Sequence, residues 1–275
     1  MFEMLEEAGV RIRLGTIAIQ PHLEGYSISA VECCDRIGPF TIKPRIVIDC
    51  SGDGDISAKA GVPHVLGDAT GNMMAMTVSF FMIGVDGTDP VAVASATQEG
   101  RRRCHQLAQF LRSDVPGFED AHMSMLSPSV GVRETRKLQG MYRLTGEDLL
   151  RATKFADGIV ACDNPVDDVM RAEGDMTHDA AIENGQYYTI PFRSLVPETI
   201  SNLMFAGRIL SADPVAFASV RGMPQCMAMG QATGTAAVLS VRFDVPVQDV
   251  STGLLVEELS RQGINRLAVP SLSEG

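Results

Sequence analysis

The sequence predicts an α/β protein, and three observations lead there. The run Ile46-Val47-Ile48 is apolar without interruption and ends in the Gly-rich turn Ser51-Gly52-Asp53-Gly54. Continuous rather than alternating hydrophobicity marks a strand buried on both faces, as in a parallel sheet. A second short buried strand, Leu203-Met204-Phe205-Ala206, is closed by Gly207, and a helix over 223–241 follows it. Upstream, segments 10–19, 26–33 and 40–49 read as a small antiparallel meander whose last strand runs into the first apolar run.

Taken in order, residues 3–9 look like the end of a helix with Gly9 as its stop. Asp35, Gly38 and Pro39 supply hairpin chemistry between the second and third meander strands. Residues 77–85 predict a strand, and 98–112 a helix with Leu107, Phe110 and Leu111 on one face. A weak capping box of Thr145 and Asp148 opens a short helix over 145–153. The acidic stretch 154–185 reads as loop, and 186–190 as a strand ended by Pro191. Residues 208–221 also read as loop. The helix over 223–241 carries Pro224 in its first turn, where a missing amide costs nothing. A last helix, 248–262, is amphipathic through Val250, Leu254 and Leu259 and stops at Gly263. There is no internal repeat and no low-complexity linker.

Composition excludes several classes. The 275 residues include 23 Lys plus Arg and 34 Asp plus Glu, a formal net charge of −11, which argues against nucleic acid as a partner. A hydrophobic share of 45% with 21% charged residues excludes a disordered chain. No apolar run approaches the roughly 20 residues of a membrane span. The acidic N-terminus lacks a signal-peptide core, so a cytoplasmic location is expected. Cys33, Cys34, Cys50, Cys104, Cys162 and Cys226 form no C-x-x-C pair, and the five histidines are scattered. The thiols read as small buried hydrophobes in a reducing compartment, and no metal site is expected.

Three features carry candidate chemistry. The Ser51-Gly52-Asp53 turn lets backbone approach a ligand where open α/β sheets place their sites, and its carboxylates suit ribose hydroxyls. The turn favours a nucleotide site over the other reading, an acidic turn or a calcium-like loop. Gly207-Arg208 and the helix from Met223 form the second feature. The amides of Gly222 and Met223 sit at a helix N-terminus, which favours an anion or a polarised carbonyl. Gly230 and Gly234 weaken that helix, which close packing on a strand or ligand would offset. Helix–sheet packing alone is the other reading. The third feature is Arg133-Glu134-Thr135-Arg136, whose arginines form either a substrate-carboxylate clamp, an internal ion-pair network or a solvated face. No nucleophile–base motif and no Walker-type loop is present.

Read together, VIDCSGDGDISAKAGVP, GVRETRKLQGMYRLTGEDLL, YYTIPFRSLVP, NLMFAGRILSAD and SVRGMPQCMAMGQATGTAA resemble the FAD-dependent oxidoreductase family, in the group related to the flavoprotein subunit of heterodisulfide reductase. The resemblance covers about Val10 to Gly263. It implies a partial Rossmann-like FAD-binding domain (GR2-like) with an inserted α+β cap or substrate region. Residues 1–70 would then be the middle of the FAD domain with its meander, 71–195 the cap, and 196–275 the end of the FAD domain. Carried over, Ser51, Gly52 and Asp53 lie near the ADP half of FAD, and Ala18 lies by the adenine. Gly207 and Arg208 lie by the ribityl–pyrophosphate, and Gly222 and Met223 face the flavin pyrimidine edge. Arg133, Arg136 and Arg193 are candidate contacts to a small organic substrate, and an electron-acceptor partner reoxidises the flavin. Catalytic groups are not assigned.

Two departures qualify the resemblance. The family's Gly-rich βαβ unit is missing, so the chain reads as a C-terminal fragment or half of a split protein. Where relatives carry Thr-His-Glu, this chain has Asp213, Pro214 and Val215. No cysteine spacing supports the iron–sulfur cluster of some relatives. The alternative function is a non-catalytic fragment or split subunit that binds no FAD on its own. A third reading is an acidic binding module without a redox role.

Overall fold

The computed structural model describes residues 2–264, apart from 75, 78–80, 83–85, 124–125, 169–177, 181 and 184. A short helix α1 (Phe2–Glu7) leads to a three-stranded antiparallel sheet of β1 (Ile17–Glu24), β2 (Ser27–Cys34) and β3 (Pro39–Ile42), with β2 in the middle. The first strand begins later than the sequence suggests. Val10, Ile12 and Leu14 alternate with polar residues but stay exposed, at 48%, 37% and 75%, so the pattern there buries nothing. The strand instead runs through Pro21, which an edge strand tolerates because one side of its backbone is unpaired. The expected strand 40–49 is two strands. Pro44 separates β3 from β4 (Val47–Asp49), which belongs to a different sheet.

β4 pairs in parallel with β13 (Leu203–Phe205), with Leu203 opposite Val47 and Phe205 opposite Asp49. All three β13 residues are buried. Their period-2 alternation makes β13 a shared wall. Met204 faces a large core that includes Leu144, Ile159, Ile190, Phe217 and Leu255, whereas Leu203 and Phe205 face a second core with Ile28, Val31, Ile56 and Leu138. The short buried strand expected at Leu203–Ala206 is present as β13, whereas Ile46, Val47 and Ile48, expected to be buried on both faces, are only half-buried, because β4 pairs with β13 alone among the described strands.

Between β4 and β13 the chain forms α2 (Asp55–Lys59), β5 (His64–Leu66), β6 (Met76–Thr77), β7 (Phe81–Met82), α3 (Pro90–Asp114), β8 (Arg136–Leu138), α4 (Gly146–Leu150), β9 (Gly158–Cys162), β10 (Val166–Asp168), β11 (His178–Ala180) and β12 (Tyr188–Pro191). β5 pairs with β8, β6 with β7, β9 with β12, and β10 with β11, each antiparallel. The strand expected at 77–85 is a hairpin in its described part, and its remainder lies outside the described residues. The stretch 154–185 is not simply loop. Gly158–Cys162 is a buried strand, and a Cβ on Gly158 would lie 2.5 Å from Thr189 Oγ1 on its partner. The capping box of Thr145 and Asp148 forms as expected.

Helix α5 (Pro214–Val220) was read as loop, and α3 starts eight residues before its expected start at 98. Both begin with Asp-Pro. Asp89 and Asp213 are the N-caps, accepting from the amides of Val91 and Ala216, and the proline occupies the first helical position. α6 (Met223–Phe243) and α7 (Thr252–Arg261) match their expected spans closely. Gly230 and Gly234 do not. A Cβ at either would meet nothing within 4 Å, so neither glycine packs against a strand of this chain.

Asn202 joins the two sheets. Its Oδ1 accepts from the Ile28 amide at 2.8 Å, and its Nδ2 donates to the carbonyls of Ile28 at 2.9 Å and Arg45 at 3.2 Å. It is 8% exposed, so water does not replace these partners. Asn202→Ala is expected to cost about 3 kcal/mol through unsatisfied buried backbone groups, read from the urea midpoint. Asp213→Ala loses the α5 cap and is expected to cost about 1 kcal/mol in the same measurement.

Candidate functional site

The C-terminal ends of β4 and β13 lie side by side, and the residues singled out in the sequence gather there. Asp49, the last residue of β4, is 5% exposed. Its carboxylate accepts from Ser51 N at 3.0 Å, Ser57 N at 2.9 Å and Ser57 Oγ at 2.7 Å. These bonds fold the chain back into a turn and seat the start of α2. Ser51 Oγ accepts from Gly54 N at 3.0 Å. Gly52 and Gly54 hold φ of +82° and +67°, values that favour glycine.

Asp53 and Arg208 meet across this turn, with Arg208 Nη2 donating to Asp53 Oδ1 at 2.6 Å. Thr135 Oγ1 donates to the same carboxylate oxygen at 3.0 Å and accepts from Arg208 Nη1 at 3.0 Å. The guanidinium lies against Gly52, where a Cβ would come within 3.1 Å of Nε and Nη2. Arg136 donates to the Asp53 carbonyl at 2.9 Å and to Asp55 Oδ1 at 2.7 Å. Arg193 is bound twice to the Asp157 carboxylate, at 2.9 and 3.2 Å, beneath the Tyr142 ring. Arg136 and Arg193 therefore carry carboxylate partners from the chain itself. For Arg136 this is the internal-network reading of the arginine run. Arg133 is half-buried, and Ala18 lies exposed on β1, apart from this cluster of bonds.

Gly207, with φ of +87°, turns the chain away from β13, and a Cβ there would lie 3.8 Å from Cys226 Sγ. That contact brings the first turn of α6 to the same end of the parallel pair. Gly222 is the N-cap of α6 and supplies no side-chain cap. The helix end thus offers amide donors and the positive end of the helix dipole. Met223 is 82% exposed there.

Six residues take part to which sequence reasoning assigned no role. Thr135 bridges Asp53 and Arg208. Glu134 and Lys137 form a buried ion pair, with Met74 N donating to Glu134 at 2.6 Å and the Lys137 ammonium 5.3 Å from the Phe217 ring. Cys50 and Cys226 flank the turn. Burial raises both thiol pKa values. Asp49 and Cys226 raise Cys50 further, and Arg208 partly lowers Cys226. Gln225, in the first turn of α6, is the sixth. Their roles depend on contacts between distant segments, which no local pattern encodes.

The donor set suits the FAD implied by the resemblance. Carboxylates at the turn can accept from ribose hydroxyls, while Arg208 and the uncapped α6 end supply donors suited to an anionic group. Among the described residues no group of His, Cys, Asp or Glu could hold a metal ion, and no helix is long and apolar enough to cross a membrane.

The thiols report this geometry. Because both pKa values are raised, the thiolate forms only at higher pH. Alkylation of Cys50 and Cys226 by iodoacetamide should therefore show midpoints above 9.0, read by peptide mass spectrometry. Arg208→Ala should slow Cys226 labelling further at fixed pH. A midpoint at or below 9.0 would contradict the packing described.

No characterised protein and no solved structure matched the chain in the comparisons made. The sequence profile described as FAD dependent oxidoreductase matches residues 1–88 and 76–261. These spans cover nearly the whole chain and include every residue gathered at the ends of β4 and β13, and the protein belongs to the FAD-dependent oxidoreductase family.

Proposed function

We propose that this protein passes hydride or electrons between a small organic substrate and FAD, with a second acceptor reoxidising the flavin. The observation that carries this reading is the convergence of Gly52–Asp53, Gly207–Arg208 and the uncapped α6 end at one edge of a parallel strand pair. Open α/β sheets bind ligands at this place. FAD, when bound, supplies the redox chemistry; the chain supplies position and electrostatics.

In this reading, residues 1–70 and 196–275 build a Rossmann-like FAD domain, and 71–195 form the cap or substrate region. The closer kinship to the heterodisulfide reductase flavoprotein belongs to the same reading. Ser51, Gly52 and Asp53 contact the ADP half, with Ala18 toward the adenine. Arg208 lies by the pyrophosphate, and a charge-assisted bond to a phosphate oxygen would compete with its bond to Asp53. Gly207 has no side chain to obstruct that approach. The amides at Gly222 and Met223 stabilise negative charge at the ligand edge nearest them. Arg133, Arg136 and Arg193 are the candidate contacts to a substrate carboxylate, and Arg136 and Arg193 would first have to leave Asp55 and Asp157.

A second reading is a subunit that holds FAD only with another polypeptide. It is favoured by the outer stripe of α6, where Met223, Met227 and Val238 are 82%, 69% and 63% exposed.

Titration of the chain with FAD, followed by flavin fluorescence, tests both. Saturable binding is expected, and Arg208→Ala should weaken it by about tenfold or more, as for loss of a hydrogen bond to a charged group. No binding by the chain alone would reject the first reading in favour of the second. Binding unaffected by Arg208→Ala would remove Arg208 from the site.

A further inference from the structure

Gln225 is the third residue of α6 and is 9% exposed. Its Nε2 donates to Cys162 Sγ at 3.2 Å. Its Oε1 is buried and has no hydrogen-bond partner among the described residues. That oxygen is aimed at the helix N-cap, because a Cβ on Gly222 would lie only 2.3 Å from it. Gly222 has φ of −65° and ψ of 155°, which any residue adopts. A side chain at Gly222 would therefore have to displace the Gln225 carboxamide, although the backbone there would accept one. The orientation of the carboxamide also agrees with the α6 dipole, whose positive end favours oxygen over an amino group. A glutamine at this position can reach back to an N-cap amide, as in a capping box, but Oε1 makes no such bond.

A buried acceptor without a partner is unfavourable and calls for an explanation. Here it stands beside the first-turn amides of α6, which are donors. The helix end thus presents donors and an acceptor together. We propose that Gln225 Oε1 accepts a ring N–H of the ligand bound at the α6 N-terminus, and that this ligand carries a carbonyl and an N–H on adjacent ring atoms. The inference rests on the flavin reading, since the pyrimidine edge of an isoalloxazine is such a cyclic imide. Cys162, the partner of Gln225 Nε2, also lines a cleft of about 390 Å³ with Met227 and Ala228. Gln225 acts here as a specificity residue for the ligand edge, and the absence of a side chain at Gly222 leaves room for its oxygen.

The test compares FAD with 3-methyl-FAD, which lacks the N–H, on the full chain. Dissociation constants come from flavin fluorescence, and a thermal melt is recorded for each variant. The unaltered protein should bind FAD about tenfold tighter than the methylated form, the scale of one hydrogen bond to a buried acceptor. Gln225→Met, similar in size but without the acceptor, should bind both flavins alike. Gln225→Glu keeps an acceptor and should keep the preference, which maintains the test if the methionine variant does not fold. Equal binding of both flavins by the unaltered protein overturns the inference while leaving the flavin reading intact. So does a Gln225→Met variant that melts lower yet keeps the preference, which would make Gln225 a helix cap only. Binding of neither flavin rejects the reading in which the chain alone holds FAD, and this inference with it.

Discussion

The parallel pairing of Leu203–Phe205 with Val47–Asp49 is the constraint on which the rest of the structure depends. Both strands are only three residues long, yet their register fixes where two hydrophobic cores meet. Met204 belongs to one core, and Leu203 and Phe205 to the other. A shift of one residue would exchange these faces and place each side chain in the wrong core. Asn202, next to β13, adds a second lock by binding the Ile28 backbone of the antiparallel sheet.

The same pairing positions the site. Asp49 ends β4, and its backbone carbonyl accepts from Ala206 N at 3.0 Å while its carboxylate shapes the following turn. One residue therefore links strand register to the placement of Gly52 and Asp53. On β13 the chain leaves through Gly207, which delivers Arg208 to Asp53. Because Asp53, Thr135 and Arg208 bond to one another, the turn, the approach to β8 and the exit from β13 form one polar unit. A ligand that takes over Arg208 would be felt by all three segments.

Local rules in the sequence reached some elements and passed over others. The capping box at Thr145 and the long span of α6 were legible because their signals lie within a few residues. The Asp-Pro starts of α3 and α5 are equally local signals, yet 208–221 reads as loop and Asp213-Pro214 enters only as a departure from a motif of relatives. Its structural role, capping α5 and accepting from Gly146 N at 2.9 Å, explains those residues without catalysis. The break of 40–49 into two strands also had a visible cause in Pro44. Strand β9 lay hidden in an acidic context, since its burial comes from β12, α6 and α7 rather than from its neighbours in sequence.

The sequence by itself determined the α/β class, the short buried strand ahead of Gly207, the glycine turn and the long helix with an open N-terminus, because each follows from local periodicity or backbone freedom. Only the tertiary structure decided which charged groups neutralise one another and which polar groups remain without partners. Asp53 with Arg208 are 155 positions apart, Arg136 with Asp55 are 81 apart, and Gln225 with Cys162 are 63 apart. Pairings over such separations are set by how the cores close, which depends on the volume and shape of many side chains at once. Gly230 and Gly234 show the same limit from the other side, since their spacing suggested close packing and the folded chain leaves both facing open space.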